Sequence, residues 1–301
     1  MMKQSFEPFS SIYGRLLILI ITISLVFTVL SGCSLKKLAV RQVADLMKGG
    51  FPAYMKETDS ALIRDAMPAN LKLIDAMLEN DPENEELLVL ACQGYAAYAF
   101  LFMEEENPER AKNLYMRAQK YGFSLMKQRD LMPDNQFDLN AWNQKIVHAT
   151  QKDLPGVFWT AFAWGGRIQL DRESPVSIAD LPLVFALAEQ AEALDPSYWF
   201  AGPDTFLGFY YGSLPVMLGG KPEKAKLHFE SALNITHRNF LMIQVLYARS
   251  YAVLTQDRML FNSLLEEVIR NTDDTLPEAA LSNAIAREKA RRLMEKADEL
   301  F

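Results

Sequence analysis

Cysteine and histidine are scarce in this chain of 301 residues, with 2 of the first and 3 of the second. Two cysteines cannot build a disulfide-stapled scaffold. His148, His228 and His237 have no partner at the short spacing of a zinc site, so no metal centre is expected. Gly-x-Ser-x-Gly, Walker-type and dinucleotide-binding glycine loops are all missing. Gly165-Gly166 and Gly219-Gly220 stand alone and read as turns. Positive charge is in deficit, 31 Lys+Arg against 38 Asp+Glu for a net charge of -7. With no basic cluster, nucleic acid is not an expected partner. Hydrophobic residues make up 50% of the chain, which excludes disorder. Period-two alternation is almost absent, which argues against a sheet. Carboxylates are plentiful, so the residues alone leave a hydrolytic Asp/Glu pair open. No constellation points to catalysis, however, and the chain is expected to be no enzyme and to need no cofactor. Glu104-Glu105-Glu106 lacks the alternating oxygen ligands and glycine of a calcium loop and reads as a solvated helix end.

A long apolar run is present only at the N-terminus, from Leu16 to Leu30, behind Lys3 and Arg15. It is short for a bilayer span, which takes about 20 residues, and suits a secretory leader. It ends in Leu30-Ser31-Gly32-Cys33, which resembles the lipobox of bacterial lipoproteins. That resemblance implies cleavage before Cys33, a diacylglycerol thioether on Cys33 and N-acylation, enough apolar chain for stable anchoring. An uncleaved anchor would leave the body on the same side. Residues 1–32 are thus expected to be a signal peptide, 33–50 a lipidated tether and 51–301 a helical repeat domain. The periplasm-facing protein would be held at the envelope. Ser34, where an inner-membrane lipoprotein often has aspartate, points by the same resemblance to the outer membrane. Cys92 lies in the run Leu87-Leu88-Val89-Leu90-Ala91 and is expected to be a buried, inert thiol.

The remainder reads as helix after helix. Leu71, Ile74, Met77 and Leu78 share one helical face, as do Leu114, Ala118 and Tyr121. Asp81-Pro82, Asn107-Pro108, Asp195-Pro196 and Gly219-Gly220-Lys221-Pro222 punctuate the segments. About a dozen helices joined by short loops are predicted, an all-α fold. A small-x₃-large-x₂-small pattern occurs as Ala111, Tyr115, Ala118 and again as Ala225, Phe229, Ala232. Weaker versions are Asn70, Ile74, Met77, then Val184, Ala188, Ala191, then Phe261, Leu265, Val268. Leu207-Gly208-x₂-Tyr211 precedes the second copy. Together these resemble the tetratricopeptide repeat, with spacings longer than its usual length of about 34 residues. The resemblance implies stacked antiparallel helix pairs in a cryptic α-solenoid. Alanine and glycine would let paired helices approach, the aromatic would fill the gap to the next pair, and proline would stop the second helix.

Aromatics crowd the centre of the chain. Phe158, Trp159 and Phe162 share a helical face, Trp164 lies nearer the opposite side, and Trp142 precedes them. A second group holds Trp199 and Tyr210. Most aromatics in such a run fill a core, while some can line a groove for a ligand or partner segment. Trp142, Phe158, Trp159, Phe162, Trp164, Trp199 and Tyr210 are the candidate ligand- or partner-binding residues.

The order of these motifs carries a family resemblance. Behind the lipobox come Leu71-Lys72-Leu73-Ile74, Asp81-Pro82-Glu83-Asn84 and Gly94-Tyr95. Then follow Trp159-x₄-Trp164, Ala193-Leu194-Asp195-Pro196, Pro215-x₃-Gly219-Gly220, His228-Phe229-Glu230-x-Ala232 and Leu265-Glu266-Glu267-Val268. From about Leu62 to Phe301 the chain resembles the T component (TatT) of tetratricopeptide-protein-associated TRAP transporters. The resemblance implies a periplasmic lipoprotein that forms trimers and engages the solute-binding P component. It also implies an apolar passage that holds or conducts a hydrophobic ligand such as a lipid-derived acid. Two other classes stay open on the residues: a scaffold lipoprotein for envelope assembly that binds no small molecule, and a hydrolase of envelope polymers.

Overall fold

The computed structural model describes residues 10–272 and 275–301, without the side chains of residues 10–15, 17–18 and 20–34. Among the described residues there is no strand, and the fold is all-α. The helices are α1 (Ser10–Met55), α2 (Ser60–Leu78), α3 (Glu85–Tyr98), α4 (Pro108–Gln128), α5 (Leu139–Ile146), α6 (Leu154–Gln169) and α7 (Pro175–Ala179). After them come α8 (Leu181–Leu194), α9 (Tyr198–Ser213), α10 (Pro222–Ile235), α11 (Met242–Tyr247), α12 (Arg258–Arg270), α13 (Ala280–Glu295) and α14 (Ala297–Leu300). Wider π turns extend α3 over Ala99–Met103 and α11 over Ala248–Ala252. Such turns insert one residue into the helical ladder and shift which face the following side chains share.

Local chemistry sets the boundaries. Asn107 caps α4 by accepting a hydrogen bond from the Arg110 amide at 3.0 Å, with Pro108 in the first turn, where a missing N–H costs nothing. Asp59, Asn84 and Asp257 cap α2, α3 and α12 in the same way. Asp195 ends α8 in extended backbone and accepts from the Ser197 amide at 2.9 Å.

Helices close in sequence pack on one another, α2 on α3, α3 on α4, α4 on α6, α6 on α8, α8 on α9 and α9 on α10, with α12 on α13 at the far end. The small-large-small sets form the inward faces. Every member except Asn70 is buried. The Tyr115 ring lies where a methyl on Gly166 would sit, 2.5 Å from that position. Phe229 does the same over Gly208 at 3.1 Å and stacks on Tyr247 with ring centres 4.5 Å apart. An aromatic on one helix thus seats in the gap left by glycine on its neighbour. Gly165-Gly166 is therefore no turn: both residues lie inside α6, and their missing side chains make room for Tyr210 and Tyr115. Gly219 does form a turn, with a left-handed φ of 95°.

The last long helix returns to the first. α13 packs against α1 and α2. Lys289 reaches Glu105 at 2.6 Å, Arg292 reaches the same carboxylate at 3.0 Å, and the Ser60 hydroxyl donates to Glu288 at 2.9 Å. The helices therefore surround a centre instead of forming an open row.

The segment 33–50, expected as a tether, is part of α1 and packs on the body. Ala44 is buried with Ile74, Leu87 and Leu88. Lys37 and Arg41 approach Asp81 at 3.6 and 3.4 Å, and Lys48 approaches Glu86 at 2.9 Å. Of the expected signal peptide, residues 1–9 lie outside the described residues, as do most later side chains, that of Cys33 included.

Candidate functional site

An apolar cavity of about 120 Å³ sits at the centre of the ring of helices. Its wall is built by α6 (Phe158, Trp159, Phe162, Gly166), α9 (Trp199, Phe206, Tyr210), the end of α1 (Phe51, Tyr54, Met55) and the first π turn (Phe100, Leu101). Phe240, Met242, Leu246 and Leu281 close it from the C-terminal side. The rings contact one another edge to face. Trp159 lies 5.1 Å from Phe158, 5.4 Å from Phe162 and 5.1 Å from Trp199, and Phe100 lies 5.5 Å from Phe162. Each such pair adds about 0.5–1.5 kcal/mol beyond the area it buries.

The two π turns supply the polar end. The first delivers Glu104 and the second delivers Arg249, and these side chains pair across the cavity at 3.4 Å. The Tyr115 hydroxyl donates to Glu104 at 2.6 Å. Burial, reinforced by the Glu104 charge, pushes the Tyr115 pKa well above the ordinary phenol value. The guanidinium of Arg249 lies 4.9 Å above the Phe209 ring. The expectation of a solvated Glu104 is corrected here: its side chain is only 8% exposed. The π turn rotates it inward, while Glu105 and Glu106 stay at the surface, paired to Lys289 and Arg292 and to Arg64.

One wall segment has unusual backbone. Trp199, Phe200 and Ala201 all adopt left-handed dihedrals, with φ of 49°, 56° and 57°. A residue bearing a Cβ gives up about 1–2 kcal/mol in that conformation, so three in a row cost about 3–6 kcal/mol, which packing must offset. Phe200 stacks on Phe240 with ring centres 4.8 Å apart, Trp199 packs on Trp159, and the Thr205 hydroxyl donates to the Ala201 carbonyl at 2.8 Å. Gly202 follows directly, with the Phe158 ring 2.7 Å from where its Cβ would be.

Five of the seven candidate aromatics therefore border one cavity: Phe158, Trp159, Phe162, Trp199 and Tyr210. Trp142 and Trp164 do not. They pack on each other at 6.0 Å and on Phe123 in solid core. The Trp142 indole donates to the Gln136 carbonyl at 2.8 Å, and that of Trp164 donates to Asp180 at 3.0 Å, beside Arg167. Trp159, by contrast, has its buried indole nitrogen in no hydrogen bond of ordinary geometry. Sequence reasoning missed Glu104 and Arg249. Arg249 sits between Tyr247-Ala248 and Tyr251-Ala252, a mismatch that could have marked it, while Glu104 is masked by the acidic residues that follow it.

A second cluster lies between α8, α9 and α10. Glu192, Asp204 and His228 bring ligand-type atoms within 4.8 Å of one another. The His228 Nδ1 is 2.8 Å from Asp204 and 3.1 Å from Glu192, and the Ser231 hydroxyl donates to the other Asp204 oxygen at 2.7 Å. Burial lowers the His228 pKa, but the hydrogen bonds and charges of Asp204 and Glu192 outweigh it and raise the value to about 9. A proton thus occupies the shared position at neutral pH. The cluster clamps three helices. His237 sits just past the end of α10 in left-handed backbone. Cys92 is fully buried, and burial pushes its thiol up to about 12.

Comparison with known proteins places this architecture among relatives. The family described as TRAP transporter T-component matches residues 56–301. A protein of Treponema pallidum (strain Nichols), described only as uncharacterized, is 22% identical over 307 residues, covering 90% of this chain and 94% of its own.

Proposed function

The chain belongs to the TRAP transporter T-component family, and on that premise we propose that it is an envelope-anchored accessory subunit that holds an apolar ligand for the solute-binding P component. Its role in a TRAP transporter follows from family membership; the ligand, the anchor and the docking partner are our reading.

The observation that carries the ligand is the central cavity, walled by aromatic rings and closed at one end by a single Glu104–Arg249 pair. Removing apolar surface from water yields about 25 cal/mol per Å², so a hydrocarbon body gains by entering such a wall. A polar solute would have to surrender its hydration for almost no hydrogen bonds. The volume of about 120 Å³ is of the order of an apolar cavity known to take benzene, about 150 Å³. At that size it suits one ring or a short chain. The anchor rests on Ser31-Gly32-Cys33 behind an apolar run, with Cys33 as the lipidated residue, residues 1–32 as the leader and the body facing the periplasm. The trimer and the P component rest on the family alone.

The test is equilibrium quenching of tryptophan fluorescence by bromobenzene in the full chain held in lipid nanodiscs. We expect saturable quenching that weakens about tenfold when Trp159→Ala removes part of the wall. Quenching that never saturates sinks the ligand reading and favours a scaffold. For the partner, sedimentation of the mixed T and P components is expected to show a complex, and separate boundaries at micromolar concentration would reject it. Mass spectrometry of the N-terminal peptide is expected to show Cys33 as the first residue, carrying a diacylglycerol thioether. An N-terminus that starts elsewhere, or an unmodified Cys33, would refute the lipid anchor.

A further inference from the structure

A second hollow lies outside the first. It is a groove of about 400 Å³ whose floor includes Leu90, Leu125 and Met126 and whose rim carries Lys48, Glu86 and Arg129. Among the described residues two line both spaces, Phe51 and Trp199. Their rings stand 5.8 Å apart, tilted by 50°, and both side chains are half-buried. This pair of rings stands between groove and cavity, beside the contact of Tyr198 on the groove side with Phe158 on the cavity side.

Each ring is mounted on backbone that is poorly held. Phe51 follows Gly49 and Gly50, and a methyl added at either glycine would meet nothing within 4 Å. No packing requires glycine there, yet two in a row weaken the helix. Pro52 follows Phe51 inside the same helix and lacks the amide that would continue the ladder. Trp199 begins the left-handed turn, a conformation that residues with a Cβ leave readily when their packing is lost. Two aromatic leaves on weak mounts, with a cavity behind and a groove in front, are the parts of a door.

We propose that the outer groove is the loading vestibule of the cavity and that Phe51 and Trp199 are the gate between them, with Gly49-Gly50 as the hinge of one leaf. The proposal rests on the reading that the inner cavity takes an apolar ligand. The groove, with its apolar floor and charged rim, would receive an amphipathic molecule. Its apolar part would pass the two rings and meet Trp159 next, the ring that contacts Trp199 from the inside at 5.1 Å. The sequence gives a further property: one leaf belongs to α1, the helix that leads from the expected anchor, so the position of the body relative to the membrane can bear on the gate.

The experiment is stopped-flow quenching of tryptophan fluorescence by bromobenzene, on the full chain in nanodiscs of fixed lipid composition. Phe51→Ala and Trp199→Ala are each expected to speed both entry and release at least about tenfold, a larger factor than the loss of affinity that removal of a wall ring brings. The double variant Gly49→Ala/Gly50→Ala stiffens the hinge without touching either ring and is expected to slow both about threefold or more. Phe51→Ala and the glycine variant keep the gate testable if Trp199→Ala fails to fold. Saturable quenching at an unchanged rate in all these variants overturns the gate and leaves the cavity reading standing. Absence of saturable quenching in the wild type and in every opened variant overturns both. Quenching that appears only in the opened variants supports a gate that stays shut in the resting protein.

Discussion

The four tryptophans fall into two pairs that do opposite things with the same side chain. Trp142 and Trp164 are wedged against Phe123, and each indole N–H has an acceptor, the Gln136 carbonyl and the Asp180 carboxylate. Trp159 and Trp199 contact each other at the wall of a hollow, one with a buried indole nitrogen in no hydrogen bond of ordinary geometry and the other on left-handed backbone. The first pair satisfies every local rule and stabilises the body. The second breaks two of them, and such breaches concentrate where a protein keeps a site.

Removing the ring should break this contrast most visibly. Trp142→Ala deletes a fully buried side chain with no void to collapse into, and is expected to cost about 3–5 kcal/mol in urea unfolding. Bromobenzene affinity in the same variant should stay within about twofold, whereas Trp159→Ala should lose about tenfold. Equal effects on affinity would erase the distinction.

The clamp of His228 gives the next largest effect. His228→Ala leaves the buried Asp204 carboxylate with Ser231 as its remaining partner and is expected to cost about 1–3 kcal/mol. The pH dependence has a definite sign. The folded pKa of about 9 lies above the ordinary value of 6.5, so the contribution is full below 6.5 and is lost as pH rises through 9. Thermal melts of the wild type should fall across that window, and the fall should flatten in His228→Gln. Asp75 has the opposite sign. Burial raises its pKa, but hydrogen bonds from Lys72, Tyr121 and Tyr95 prevail and lower it. Its contribution is present above the ordinary carboxylate value and lost as acid titrates the folded group. Asp75→Asn should therefore blunt the acid limb of the same melts.

A smaller effect bears directly on the strained turn. In a helix interior alanine is favoured over glycine by about 0.5–1 kcal/mol. At position 199 the order should reverse, with Trp199→Gly more stable than Trp199→Ala by about 1–2 kcal/mol. Equal stability would mean that the turn relaxes once the ring is gone. The smallest effect concerns Cys92, whose thiol is pushed up to about 12 by burial. It should resist iodoacetamide at neutral pH until the protein unfolds, and fast labelling would contradict the packing described.

Much of the fold was legible because helix-forming physics is local. The faces built on Ala111, Tyr115, Ala118 and on Ala225, Phe229, Ala232 follow from spacing alone, and the buried positions agree with it. Spacing could not say that the glycine receiving Tyr115 is Gly166, because that contact joins helices far apart in the chain. This is why Gly165-Gly166 reads as a turn from sequence. Nor could it separate Trp164 from Trp159, since both sit in one apolar helix and only their tertiary neighbours differ. Glu104 and Arg249 were hidden for another reason. Each is turned inward by a π turn, and one extra residue per turn changes the face of every side chain after it. The left-handed turn at Trp199-Phe200-Ala201 left no signal, because the residues that usually advertise such backbone, glycine and asparagine, are absent from it.

The return of α13 to α1 and α2 has a bearing on how the body comes apart. An open stack of helix pairs can shed its last unit without disturbing the others, and its ends fray first. Here α13 is tied to α2 through Ser60 and Glu288 and to the segment after the first π turn through Lys289, Arg292 and Glu105, so α13 is no free margin. Loss of α13 would uncover the central hollow to water where Leu281 and Ser282 now close it, and the damage would be felt at α2 and at Glu105, far away in the chain.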